Sequence, residues 1–93
     1  MRIRWTPTAA ADLQNISDYL KQHHPRYRQP TMQKIYDTIR LLRQSPYRGR
    51  RGSEVGTREI LFPPLPYVAV SRVAGETIEV LRVYRGAQDR SVS

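Results

Sequence analysis

Three side chains at the end of an apolar stretch could bind an anion. Arg82, Tyr84 and Arg85 stand together in "EVLRVYRGAQD", residues 79–89, and Arg58 opens a similar stretch earlier in the chain. A guanidinium pairs with a phosphate or a carboxylate through two parallel hydrogen bonds. An arginine on an otherwise apolar face of a strand is costly unless it is paired. We therefore expect Arg82 to have a carboxylate partner, such as Glu59 or Glu79, or to open toward a ligand.

A second group of arginines lies in the glycine-rich stretch "SPYRGRRGSEVG", residues 45–56, which is predicted to be a loop. Arg48, Arg50 and Arg51 could hold a phosphate backbone, or they could form a solvated charge run. The two histidines, His23 and His24, are interpreted as solvated residues of a turn between helices. With no cysteine in the chain and no phosphate-binding glycine motif, we expect no metal and no cofactor.

The composition indicates one basic, cytoplasmic domain. The chain has 93 residues and a formal net charge of +8, and 14 of its 16 basic residues are arginine. Nine basic residues lie between Arg26 and Arg58, against two acidic ones. Such a concentration of positive charge favours a polyanionic partner, either nucleic acid or an acidic protein. An arginine-rich composition alone could also produce this concentration. We predict a single domain over 1–93, with no signal peptide and no membrane association.

Apolar periodicity predicts the elements. A strand over 2–5 is followed by a helix with Thr6 as N-cap, a second helix over 30–44, and strands over 57–62, 67–73 and 77–84. The order is β-α-α-β-β-β, which predicts an α+β domain with a helical hairpin packed on an antiparallel sheet. The expected core faces carry Leu13, Ile16, Leu20, Ile35, Ile39 and Leu42 from the helices, and Ile60, Val70 and Val80 from the sheet.

Strand alternation also predicts the direction of the candidate site residues. Arg82 and Tyr84 share their parity with Ile78 and Val80, and Arg58 shares its own with Ile60. The sequence therefore predicts that these side chains lie at the edge of the core face, at the exposed end of the sheet.

Nearly the whole chain resembles the RelE/ParE superfamily of toxins from bacterial type II toxin–antitoxin systems. "WTPTAAADLQNISDYL" is similar to the opening strand and helix of that superfamily, and "GRRGSEVGTREILF" to its Gly-Arg loop with the following Gly-x-Arg-Glu. "PYVAVSRVAGETIEVLRVYRGAQD" resembles the closing hairpin. The resemblance implies a toxin neutralised by a cognate antitoxin, with operator DNA contacted only through that antitoxin. Because the chain is basic, we expect the antitoxin segment to be acidic and disordered when free.

Members of the superfamily have one of two activities, and this chain lacks residues that are typical of the first. RelE-like members cleave messenger RNA on the ribosome. If this chain were such a nuclease, the resemblance implies that its catalytic residues would be Arg58, Arg82, Tyr84 and Arg85. The closing histidine of many members is Arg85 here, and arginine cannot serve as a general base. Tyrosine, with a pKa of about 10, is a poor one, and nothing in the sequence brings Glu54 or Glu59 beside the arginines. Ser71 replaces a common tyrosine.

These departures favour the ParE-like activity, inhibition of DNA gyrase without RNA cleavage. The contact residues would then be Arg48, Arg50, Arg51, Arg58, Arg82, Tyr84 and Arg85. The RelE-like nuclease remains the alternative, and a third interpretation is a domain that binds its antitoxin and has lost toxicity.

Overall fold

The computed structural model describes residues 1–86 and has the predicted α+β architecture. Two helices pack on one face of a five-stranded sheet. A short 3₁₀ turn, Leu41–Arg43, follows the second helix. The elements are β1 Arg2–Trp5, α1 Pro7–His23, α2 Pro25–Arg40, β2 Arg50–Arg51, β3 Thr57–Phe62, β4 Leu65–Ala74 and β5 Thr77–Arg85.

Helix α1 begins as the sequence predicts. The hydroxyl of Thr6 accepts a hydrogen bond from the Ala9 N–H at 3.1 Å, and Pro7 occupies the first helical position. This satisfies one of the N–H groups that a helix start leaves without a partner. The same hydroxyl donates to the Val80 carbonyl at 3.0 Å, so the cap also ties α1 to β5.

Helix α2 begins earlier and ends earlier than predicted. It runs from Pro25 to Arg40, and only His24 separates it from α1. Pro25 suits the first helical position because the N–H it lacks would have no helical acceptor there. Pro30, the predicted start, lies inside the helix and costs it one internal hydrogen bond. Neither helix in residues 1–86 is long and apolar enough to cross a membrane.

The sheet is mixed rather than wholly antiparallel. Its strand order is β1-β5-β4-β3-β2, and β1 pairs with β5 in parallel, whereas the other neighbours are antiparallel. Hairpin turns determine the direction of consecutive strands, but β1 reaches β5 only through the two helices. The sheet predicted as antiparallel is therefore antiparallel except at β1, whose direction no hairpin turn determines. The two-residue strand β2, which lies in the predicted loop, was not predicted from the sequence.

The core lies between the helices and one face of the sheet. All six helical positions predicted for it are buried except Ile16, which is half-buried against the core. Val70 was predicted to face the helices and does not, because it lies in the row of Glu59 and Arg82 on the opposite face. The sheet contributes Ile60, Phe62, Ala69, Ile78, Val80 and Val83 to the core.

Ser71 is a buried polar residue in this core. Its side chain is fully buried, and its hydroxyl has no hydrogen-bond partner among the described residues. A buried hydroxyl without a partner costs about 1–3 kcal/mol. Ser71→Ala should therefore leave the free energy of unfolding unchanged or raise it by about 1 kcal/mol, as measured by urea denaturation.

Thr57 supplies the matched control for Ser71. It is also buried, but its hydroxyl donates to the Glu54 carbonyl at 2.6 Å. Thr57→Val should therefore lower the free energy of unfolding by about 0.5–1.5 kcal/mol. A larger loss for Ser71→Ala than for Thr57→Val would contradict the assignment of Ser71 as unpartnered.

Candidate functional site

A β-bulge in β5 turns the candidate residues to an unexpected face. Val70 pairs with Arg82, but the next residue of β4, Ser71, pairs with Val80, so Leu81 is the extra residue. A bulge of one residue reverses the alternation that follows it. Val83 accordingly joins Val80 in the core, and Arg82 and Tyr84 line a cleft on the opposite face of the sheet. The prediction that Arg82 and Tyr84 share a face with Val80 was therefore wrong.

Arg82 is held by a carboxylate that the sequence did not suggest. Oδ2 of Asp12, on α1, accepts a hydrogen bond from Nε of Arg82 at 2.8 Å and from the backbone N–H of Val83 at 2.9 Å. The predicted partners, Glu59 and Glu79, pair with other arginines. Asp12 thus caps the edge of β5 just beyond the end of β1. Its position three residues after the buried Ala9 was the only available signal that it faces the sheet.

The surroundings of Arg82 favour the protonated form of its guanidinium. The hydrogen bond and the negative charge of Asp12 raise the pKa of the Arg82 guanidinium above its ordinary value, with a smaller contribution from Tyr84. Arg82 is therefore a fixed cation, partly neutralised by Asp12, rather than a group that exchanges protons.

An open cleft of about 410 Å³ lies on the sheet face that carries Arg82 and extends to the start of α1 at Thr6 and Thr8. Arg50, Glu59, Val70 and Arg82 form one row across four neighbouring strands on this face. Nε of Arg50 donates to Oε1 of Glu59 at 2.9 Å. We call this region the open-face cleft; its lining residues include Glu54, Thr57, Glu59, Val70, Arg82 and Tyr84.

Arg58 lies on the other face of the sheet. It pairs with Ser71, which pairs with Val80, and this row faces the helices. As predicted, Arg58 therefore shares the face of Ile60. Its guanidinium carbon lies 5.8 Å from the centre of the Tyr47 ring, which favours a cation–π contact. Arg58 is thus separated from Arg82 by the sheet itself.

Arg85 occupies a third position. It pairs with Tyr67 at the start of β4 and lines a separate cleft of about 440 Å³ with Asn15, Ile16 and Tyr19 of α1. The four residues predicted as one catalytic set therefore fall in three places. Arg82 and Tyr84 share the open-face cleft, whereas Arg58 lies beside Tyr47 and Arg85 beside α1.

The three arginines of the stretch 45–56 are also separated from one another. Arg50 and Arg51 are neighbours on β2, so their side chains leave opposite faces of the sheet. Arg50 is paired with Glu59 in the open-face cleft, and Arg51 lies directly opposite Arg58. Arg48 precedes the strand in an exposed turn. With Arg85 beside α1, the predicted contact residues thus lie in three places rather than one.

Glu79 neutralises two arginines across three strands. Its carboxylate accepts from Nε of Arg72 at 2.9 Å and from Nη1 of Arg4 at 3.0 Å. The Arg72 hydrogen bond, together with the charges of both arginines, lowers the pKa of Glu79 below its ordinary value of 4.5, although partial burial opposes this shift. Protonation of Glu79 would leave Arg4 and Arg72 close together without their shared carboxylate.

The lowered pKa predicts a pH dependence. Because the folded state binds the proton of Glu79 less readily than the unfolded state, its stabilising effect is complete above about pH 4.5 and is lost as the pH falls through the lower folded pKa. Urea denaturation should show wild type more stable than Glu79→Gln at pH 7, with a difference that shrinks below pH 4.5. Glu76→Gln, in the exposed turn before β5, should show no such difference. A Glu79→Gln difference that grows with acidification would contradict the ion-pair assignment.

The histidines lie at the tip of the helical hairpin. His23 belongs to the last turn of α1 rather than to the turn itself, and its ring lies 4.5 Å from that of Tyr19. His24 is the single residue between the helices, and both histidines are exposed. Across residues 1–86, no three His, Cys, Asp or Glu side chains are grouped so that they could hold a metal ion.

Comparison with known proteins agrees with this architecture. The chain is 33% identical to a chain of the chromosomal ParDE toxin–antitoxin system from P. aeruginosa, with a TM-score of 0.81 over 91% of this chain and 95% of that one. It is 30% identical to a candidate toxin of Sinorhizobium fredii, Y4kP, over 94% of this chain and 90% of that protein.

More distant structures share the fold alone. The E. coli DinJ–YafQ complex matches with 16% identity and a TM-score of 0.62, over 95% of this chain and 97% of the other. The YoeB dimer from Staphylococcus aureus matches with 13% identity and a TM-score of 0.57, over 88% and 92%. The sequence profile described as "ParE toxin of type II toxin-antitoxin system, parDE" matches residues 3–90. The chain therefore belongs to the ParE toxin family.

Proposed function

We propose that this toxin acts by binding DNA gyrase, and that it does not cleave RNA. The observation that supports this most directly is the division of the candidate catalytic residues among three places. Cleavage through the 2′-hydroxyl requires a base, an acid and cations around a single phosphate. Arg82 and Arg58 leave opposite faces of the sheet, which disfavours their acting together on one phosphate.

The open-face cleft is the proposed contact surface for gyrase. It offers the cation Arg82 and the ring of Tyr84, and the exposed side chain of Leu61 lies on the same face two strands away, on β3. Arginine and tyrosine commonly dominate protein–protein binding because they combine large contact area with directed hydrogen bonds. Asp12 fixes the Arg82 side chain before binding, which lowers the entropy lost on association.

We further propose that an acidic antitoxin segment neutralises the toxin. The net charge of +8 favours an anionic partner, and the similar P. aeruginosa chain comes from a ParDE toxin–antitoxin system. Association with such a segment should slow as salt is added, because screening weakens the steering field. Stopped-flow association rates across a salt series would test this. Salt-independent association with a basic segment would contradict the proposal.

The nuclease alternative depends on the same cleft. Glu54 and Glu59 line it together with Arg82 and Tyr84, so a carboxylate base is available on that face. However, Arg50 holds Glu59, and the strand carrying Val70 lies between Glu59 and Arg82. Two strand spacings separate their backbones by about 10 Å, which disfavours a joint action on one phosphate.

Tyr84→Phe distinguishes these two functions. The variant removes one hydroxyl and keeps the ring, so a binding surface should retain nearly all of its affinity and toxicity. In a nuclease that uses the phenol for proton transfer, cleavage should fall about 100-fold or more. Growth after induction and messenger RNA integrity would be measured together. Ribosome-dependent RNA fragments from wild type that disappear in Tyr84→Phe would overturn the proposal.

A substitution of Arg82 complements the Tyr84→Phe test. Arg82→Ala should weaken gyrase binding and reduce toxicity without affecting RNA, since it removes the central cation of the open-face cleft. The third interpretation, a domain that only binds its antitoxin, predicts normal growth when wild type is induced alone. Normal growth at a verified protein level would therefore contradict the proposed toxic activity.

A further inference from the structure

Arg51 and Arg58 bring two guanidinium groups together at the β2 edge of the sheet. They lie directly opposite each other on β2 and β3, and neither is in an ion pair within residues 1–86. Like charges directly opposite on paired strands destabilise a sheet. Of the other arginines on the sheet, Arg4, Arg50, Arg72 and Arg82 pair with carboxylates. Arg2 and Arg85 have no ion pair within residues 1–86 either, but they lie opposite Thr77 and Tyr67 rather than another arginine. The opposed pair is therefore a local excess of positive charge that an external anion would relieve.

An exposed aromatic ring lies beside this pair. Tyr47 is 63% exposed, and its ring centre lies 5.8 Å from the Arg58 guanidinium carbon. Tyr47, Arg51 and Arg58 line one cleft of about 440 Å³, and we call these three residues the Tyr47 patch. Glu54 lines the same cleft, but its single carboxylate does not balance two guanidinium groups, and Arg48 adds another charge next to Tyr47.

We propose that the Tyr47 patch binds single-stranded nucleic acid. Arg51 and Arg58 would contact the phosphodiester backbone, and Tyr47 would stack on an unpaired base. Proteins that bind single strands combine such a cationic groove with exposed aromatic rings, because phosphates and bases alternate along the ligand. An acidic peptide would satisfy the arginines but would gain nothing specific from the ring. The cleft of the patch adjoins the open-face cleft at the 52–57 turn, but Arg51 and Arg58 leave the sheet face opposite that of Arg82. Binding at the patch therefore does not require gyrase as the target.

Fluorescence anisotropy with labelled oligonucleotides of about ten nucleotides would test the proposal directly. One arm uses oligothymidylate and the other oligouridylate, so that DNA and RNA are distinguished. We expect saturable binding whose affinity falls as salt increases. Arg51→Gln and Arg58→Gln should each weaken binding, and each should reduce the slope of log affinity against log salt by about 0.7, the value for one phosphate contact on a single strand.

The ring and the charge are tested separately. Tyr47→Ala should weaken binding about 5- to 150-fold, the range for loss of one base stack, whereas Tyr47→Phe should retain it. Arg26→Gln, in the exposed first turn of α2, makes the same charge change outside the patch and should alter affinity far less than Arg51→Gln. Thermal unfolding of every variant would verify that the changed residues are not needed for folding.

Several outcomes would overturn the proposal. Equal losses for Arg26→Gln and Arg51→Gln would mean that only bulk charge is measured. Tighter binding of duplex DNA or of polyglutamate than of either oligonucleotide would assign the patch to another partner. Photo-crosslinking of wild type to an oligonucleotide carrying 4-thiothymidine gives a test without any variant. Crosslinks at Tyr47 are expected, and crosslinks confined to other regions would contradict the assignment.

Discussion

Replacing Ile39 with alanine should lower the free energy of unfolding by about 2–5 kcal/mol. Ile39 is 1% exposed and lies where α2 meets the sheet, among Ile35, Ile60 and Val80. Truncation removes buried methyl and methylene groups and leaves a cavity that the surrounding elements cannot fill completely. Urea denaturation monitored by circular dichroism would measure the loss.

Leu41 is the matched control, two residues further along the chain. It lies in the 3₁₀ turn and is 44% exposed. Leu41→Ala should change the free energy of unfolding by about 0.5 kcal/mol or less. Similar losses for Ile39→Ala and Leu41→Ala would mean that the register of α2 on the sheet is wrong.

The second large effect is expected at Asp12. Asp12→Ala leaves the N–H of Val83 without its acceptor and Arg82 without its ion pair. The unpartnered N–H should account for most of a loss of about 1–3 kcal/mol in the free energy of unfolding. The ion pair adds little, because the Arg82 side chain is 54% exposed and solvent screens the interaction.

Two further variants separate these contributions. Asp12→Asn retains a carbonyl oxygen that can accept from Val83, so its stability loss should be smaller than that of Asp12→Ala. Asp18→Ala removes an exposed carboxylate of the same helix, which is bonded only to Gln14 among the described residues, and should have little effect. Equal losses for Asp12→Ala and Asp18→Ala would contradict the role of Asp12 as the cap of β5.

Asp12 should also affect the proposed activity. Without its carboxylate, Arg82 samples more rotamers before binding, so gyrase affinity should fall by about 2- to 10-fold for Asp12→Ala, corrected for the folded fraction. Arg82→Ala should cause the greater loss, because it removes the contact itself. Unchanged affinity in both variants would remove the open-face cleft from the proposed interface.

Local signals in the sequence were sufficient to define most of the fold. The strands Arg2–Trp5 and Thr57–Phe62 have the predicted bounds, because alternation and flanking turn residues mark both ends. The start of α1 at Pro7 followed from its N-cap. The start of α2 did not, because two prolines, Pro25 and Pro30, both resemble a first helical position and only packing distinguishes them.

The candidate site was less predictable because it depends on non-local pairing. The alternation of apolar residues in β5 gave no sign of the extra residue at Leu81, since a bulge is defined by the partner strand. That single residue moved Arg82 and Tyr84 to the opposite face. The Asp12–Arg82 pair spans 70 positions of sequence, and no local spacing could indicate it.

The central claim is most directly tested by the supercoiling activity of purified DNA gyrase on relaxed plasmid, measured with increasing amounts of the purified wild-type toxin. Messenger RNA in a translating extract would be monitored with the same preparation. The proposed function predicts that supercoiling is lost as toxin is added, that the antitoxin restores it, and that the messenger RNA stays intact. Unimpaired supercoiling at saturating toxin, with ribosome-dependent cleavage of the messenger RNA, would contradict it.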